Sequence, residues 1–141
     1  MNNHKNTALI TGSAHRIGRE MAIFLAKNNY DIVIHYYNSK DSAIELANYL
    51  HKDFAVRTAV IDGDLSDSNS LKKIADFMIN NFPSWNLLIN NASIFHRSNF
   101  LDNLDDEFAK NMAIHLNAPV YLSNFFAQNV IKNNNNVLIA Y

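Results

Sequence analysis

The chain has 141 residues, enough for one domain that buries roughly two-thirds of the surface its unfolded form exposes. With a net charge of −1 and Lys and Arg scattered rather than clustered, it offers no surface suited to a nucleic acid, and its 48% apolar residues fit a globular α/β core. The absence of Cys excludes disulfides and thiolate metal sites; the first residues lack a signal peptide's apolar core, and no 18-residue apolar run is present to span a bilayer, so a cytoplasmic, membrane-free protein is expected.

In chain order, the apolar run at 7–11 reads as a buried strand that leads into a turn bearing Gly12 and Gly18, then into a helix over 17–28. Such a turn offers backbone N–H groups and the positive end of a helix dipole to an anion, here a dinucleotide pyrophosphate. A strand over 32–36, a helix over 40–52 and a third strand over 56–61 follow. Next come a helix over 68–81, a short strand at 87–89, a long helix over 105–132 and a last strand at 137–140. Short buried strands alternating with helices of this length imply parallel βαβ crossovers covered on both faces. The expected fold is α/β, a three-layer, doubly wound parallel sheet of order 3-2-1-4-5, forming a single domain over 1–141 that stops after the fifth strand. In that order the loops after Thr11 and after Asn90 open onto one crevice. The six His residues are dispersed, with no i, i+4 ligand pair, so no metal site is expected. Pro119 sits inside the long helix; its ring crowds the carbonyl of His115, which predicts a kink or a local opening.

The Gly12-x5-Gly18 spacing is not G-x-G-x-x-G. It resembles the Thr-Gly-x-x-x-Gly-x-Gly loop of the short-chain dehydrogenase/reductase family, with Arg16 in place of the middle glycine. Asp64-Leu65 after the third strand and Asn90-Asn91-Ala92-Ser93 after the fourth stand where that family keeps its adenine-holding and Asn-Asn-Ala-Gly motifs. Asn117 lies in the helix where the family keeps a catalytic Asn that holds a water of the proton relay. The resemblance implies cofactor contacts from Gly12, Ala14, Arg16, Ile17 and Gly18 in the first loop, and from Tyr37, Asn38 and Ser39 after the second strand. It adds Asp64, Leu65, Asn91, Ala92 and Ser93, with Asn90 bracing the sheet. Within the family, Arg16-Ile17-Gly18, His35-Tyr36-Tyr37-Asn38-Ser39 and Asn90 to Phe95 together are similar to pteridine and dihydromonapterin reductases. That narrower resemblance implies a pterin-like substrate touched by Arg16 and Ser93 and stacked on Phe95.

NADP(H) is expected over NAD(H). Positions 36–39 carry no carboxylate to bind ribose hydroxyls and repel a 2′-phosphate, and Arg16 and Lys40 add positive charge, although pteridine reductases commonly have Arg where Asn38 stands. The family's Ser, Tyr and Lys lie beyond its fifth strand and are absent here, so the chain alone is expected to be inactive. Tyr36 and Lys40 have the Tyr-x-x-x-Lys spacing but sit at the exit of the second strand, on the adenosine side. The family also pairs the long helix between subunits, so the resemblance implies a homo-oligomer through helix 105–132, or a partner chain. A nucleotide-binding or interaction module without turnover remains as the alternative reading.

Overall fold

The computed structural model describes residues 6–95, 105–133 and 138–141. Five parallel strands form one sheet in the order 3-2-1-4-5: β1 (Thr7–Ile10), β2 (Asp31–Tyr36), β3 (Thr58–Asp62), β4 (Trp85–Ile89) and β5 (Leu138–Ala140). The crossovers are α1 (Arg16–Lys27), α2 (Lys40–Phe54), α3 (Ser68–Asn81) and the long helix, which consists of α4 (Asp105–Met112), a π-helical segment (Ala113–Asn117) and α5 (Ala118–Asn133). This is the doubly wound order expected from the alternation of strand and helix.

The strands are apolar without a break because both faces are covered. Successive residues point to opposite sides, so Leu9, Val33 and Leu88 join Ile74 and Met78 of α3 and Leu122, Phe126 and Val130 of α5 on one face. Trp85 anchors that layer, its ring 4.6 Å from that of Phe126. Ala8, Ile10, Ile32 and Ile34 face the other way, against Ala22 and Ala26 of α1 and Leu46 and Leu50 of α2.

Among the boundaries that differ from the pattern read in the sequence, two strand starts shift by two residues, each for a local reason. β4 begins at Trp85, two residues early, although Asn86 interrupts the apolar run. The Asn86 side-chain oxygen accepts the Thr7 N–H at 3.1 Å, standing in for a backbone partner where the β1–β4 register shifts. β3 begins at Thr58, two residues late, because the chain leaves α2 through a left-handed Ala55 (φ 53°) and Arg57 N–H is held by the Asp31 carboxylate at 2.8 Å.

The interruption expected at Pro119 is a π turn. Ala118 N–H donates to the Ala113 carbonyl, five residues back, ahead of the position where Pro119 has no N–H to give to His115. Of the apolar residues beyond it, Phe126 and Val130 belong to the core, Tyr121 and Phe125 stack on one another half-buried, and Val120 is exposed. Among the described residues no helix is long and apolar enough to cross a membrane.

Candidate functional site

The β1–α1 loop is fixed by its neighbours on both sides. Thr11 N–H donates to the Ile89 carbonyl and Ser13 N–H to the His35 carbonyl, both at 3.0 Å, while Ser13 Oγ donates to the Ile10 carbonyl at 2.8 Å. Gly12 turns the chain at φ +63°, and a Cβ there would lie 2.9 Å from Ala92 Cα, so both the dihedral and the space require glycine. Gly12 N–H donates to His35 Nδ1 at 3.0 Å. A peptide N–H can only donate, so Nδ1 is bare and His35 Nε2–H donates to the Gly63 carbonyl, also at 3.0 Å. Burial pushes the His35 pKa down to about 4, opposed by its bond to Gly63 and by the charge of Asp62. A neutral, buried imidazole thus ties the first loop to the exit of β3.

These bonds leave the start of α1 facing the crevice. Its N-terminal residue His15 makes no side-chain cap and the first turn holds no acid, while the first helical bond runs from Arg19 N–H to the His15 carbonyl at 3.2 Å. The preceding N–H groups, those of Arg16, Ile17 and Gly18, therefore have no partner within the helix and carry its positive dipole end. A Cβ on Gly18 would lie 2.6 Å from Asn91 Nδ2 and 2.8 Å from the Gly12 carbonyl oxygen, so this glycine lets the helix press onto the loop and onto Asn91. Arg16, at the family's middle-glycine position, has φ +51°, a left-handed conformation costing an L-residue roughly 1–2 kcal/mol.

Next to this loop lies a cavity of about 350 Å3. It brings together Gly12, Tyr37, Asn38, Asp64, Leu65, Ala92 and Ser93 of the expected cofactor residues, with His35, Ile94 and Lys110. The Asp64 carboxylate accepts Ser66 Oγ–H at 2.7 Å and Ser66 N–H at 2.8 Å, and these bonds, with Lys110 and Tyr37 helping, hold its pKa below the usual carboxylate value. Arg16, Ile17 and Asn91 instead line an open cleft of about 860 Å3 between α1 and the β4–β5 edge. Ala14 is buried beneath the loop, Ser39 begins α2 outside both spaces, and Phe95 is 86% exposed. Asn117 ends the π segment with an exposed side chain.

Asn91 ties β4 to the first loop, and Asn90 ties it to β5 and α5. Asn91 Nδ2 donates to the carbonyls of Thr11 at 2.9 Å and Gly12 at 3.1 Å, and Thr11 Oγ1 accepts the N–H groups of Asn91 and Ala92, each at 3.0 Å. Asn90 N–H ties to the Ala140 carbonyl of β5 at 2.9 Å, and its side chain lies 3.4 Å from Ser123 Oγ. The sequence assigned no role to three residues at the site: His35, quoted only within a motif, His115, quoted only for its carbonyl, and Lys110. His35 interrupts an apolar central strand, and a polar ring at such a place must find partners. His115 lies in the π segment with Nε2 3.0 Å from Ser93 Oγ, a contact that no spacing rule foretells.

Residues 6–140 match the family model described as short chain dehydrogenase. The chain belongs to that family. Among short-chain dehydrogenase relatives, the uncharacterized oxidoreductase YmfI of Bacillus subtilis is 27% identical over 137 residues, 95% of this chain and 54% of that protein. The 3-oxoacyl-(acyl-carrier-protein) reductase FabG of Staphylococcus aureus is 30% identical over 101 residues, covering 72% of this chain and 40% of FabG. The chain thus spans about half the length, or less, of the curated relatives it matches. Acetoin dehydrogenase YohF of Salmonella typhimurium superposes with a TM-score of 0.88 at 25% identity, over 96% of this chain and 53% of that one. A short-chain dehydrogenase from Sphingobium yanoikuyae in complex with NADPH superposes with a TM-score of 0.84 at 21% identity, over 95% of this chain and 52% of its own.

Proposed function

We propose that this chain is the cofactor-binding part of a short-chain reductase that takes NADP(H), with a flat, pterin-like molecule as substrate. The observation that carries the cofactor reading is the first loop. His35, Asn91 and Thr11 occupy its internal hydrogen-bonding groups, and the donors left over, at the start of α1, converge where a pyrophosphate would sit. Asp64 and Leu65 close the cavity where the resemblance implies adenine. Tyr37 and Asn38 on its wall carry no charge that would repel a 2′-phosphate. NADPH in the Sphingobium protein of the same fold supports a nicotinamide cofactor, and the positive charge that Arg16 adds at the start of α1 supports the phosphorylated form. When bound, NADPH supplies a hydride, and the chain's own residues hold it, orient it and exclude water around it.

The pterin part rests on Arg16, Ser93 and Phe95. The exposed Phe95 ring offers an aromatic face two residues from the Ser93 hydroxyl. For proton delivery, Tyr36 is a poor candidate, being buried among the α1 and α2 side chains rather than lining the cavity. Tyr36 is therefore proposed to have no part in proton delivery. Calorimetric titration tests the cofactor reading: NADPH is expected to bind more tightly than NADH, and the reverse order would overturn the choice. Incubation with NADPH and 7,8-dihydrobiopterin tests the rest, since oxidation of NADPH that Tyr36→Phe abolishes would return Tyr36 to the mechanism.

A further inference from the structure

His115 and Ser93 form a polar pair on the rim of the cavity, and the geometry fixes which of them holds which proton. His115 Nε2 lies 3.0 Å from Ser93 Oγ and 3.3 Å from Ile94 N. The Ile94 N–H can only donate, so Nε2 is the bare nitrogen of a neutral ring whose proton sits on Nδ1. A bare Nε2 cannot donate, so the Ser93 hydroxyl donates to it as well. With its one proton spent on His115, Ser93 Oγ has only lone pairs left for the cavity whose wall it forms.

We propose that His115 sets the polarity of Ser93, presenting it to the ligand as a hydrogen-bond acceptor that recognises an N–H or O–H donor. An amide, amidine or sugar hydroxyl meets that demand, whereas a carbonyl or phosphate oxygen would face lone pair against lone pair. The Asp64 carboxylate lines the same cavity and is a second acceptor, so the two positions favour a donor-rich molecule. The inference rests on this crevice being the ligand site and adds which kind of ligand atom meets Ser93. His115 acts through Ser93 and is a positioning residue. The π turn is what brings it there, since His115 lies in the middle of the segment Ala113–Asn117.

Two measurements on the 141-residue chain test it. Long-range 1H–15N correlation of the His115 ring at neutral pH, assigned by loss of the signals in His115→Gln, reads the tautomer directly. The Nδ1–H form is expected, and an Nε2–H form would overturn the proposal whatever binds. The second is a double-mutant cycle on NADPH affinity. Ser93→Ala and His115→Phe, both at exposed positions, are each expected to weaken binding about tenfold, and the double variant about as much as either alone. Independent effects that multiply to about a hundredfold would show that His115 does not act through Ser93. If the native chain failed to bind NADPH, the cofactor reading would fall, while the ring tautomer would still decide the polarity of Ser93.

Discussion

His35 is the residue whose chemistry departs most from its ordinary behaviour. Its pKa of about 4 lies below the usual 6.5, so the folded chain refuses a proton that the unfolded chain accepts. Stability is therefore whole above pH 6.5 and is lost as the pH falls from 6.5 toward 4, by about 3 kcal/mol at 1.36 kcal/mol per tenfold change in proton affinity. Asp62, Asp64 and Asp67, held below their ordinary value by Lys73, Ser66 and Ser70 respectively, add a separate loss at lower pH, as each carboxylate is protonated. Urea unfolding between pH 7 and 4.5 checks this. His35→Leu is expected to flatten the dependence in that range while lowering stability at pH 7 by roughly 2–5 kcal/mol, because the Gly12 N–H and Gly63 carbonyl lose their partner. Gly12→Ala meets a different obstacle, a left-handed φ of +63° with Ala92 Cα 2.9 Å from the new methyl group. A loss of roughly 1–3 kcal/mol is expected, read as a lower Tm with the secondary structure intact.

At the scale of elements, the interrupted long helix shows what the sequence carried and what it withheld. Pro119 announced the break, since it lacks the N–H that His115 would need, but the form of the break depends on packing. Ile114, Ala118, Leu122, Phe126 and Val130 are all buried and recur at every fourth position. In a regular helix such a series drifts about 40° per step, and a wider π turn recovers part of that drift where it joins α4 to α5. Pro119→Ala restores the missing donor. A higher Tm is expected, together with NADPH binding weakened several-fold, because a regular turn would carry His115 away from Ser93. Unchanged affinity beside a raised Tm would separate the π turn from the site. The strands and their order were legible because buried parallel strands need unbroken apolar runs. β4 and β3 began elsewhere because one side-chain amide and one carboxylate replaced backbone partners, which hydrophobic periodicity does not register. The meeting of Gly12, Asp64 and Ser93 at one cavity was likewise legible, since turns and strand ends fix positions along the chain. The roles of His35 and His115 were not, because their partners lie 23 and 22 residues away in sequence.

Across the whole molecule, the wound sheet gathers the ends of β1, β2, β3 and β4 around one loop, and His35, Thr11 and Asn91 stiffen that loop before any ligand arrives. The face of α1 toward the β5 edge exposes Ile17 and Phe24, and that edge exposes Leu138 and Tyr141, each more than 60% accessible. Apolar surface of this kind is expected to drive self-association of the isolated chain. Sedimentation velocity at tens of micromolar checks it, a single monomeric species being the contrary result. If the start of α1 and the cavity beside it form a nucleotide cradle, amide chemical shifts during an NADPH titration will register the ligand there. The N–H signals of Ile17 and Gly18 are predicted to move most, with those of Asp64, Leu65 and Ser93 following along the same binding curve. Shifts confined to other surfaces, or none at Ile17 and Gly18 at saturating NADPH, would contradict the account.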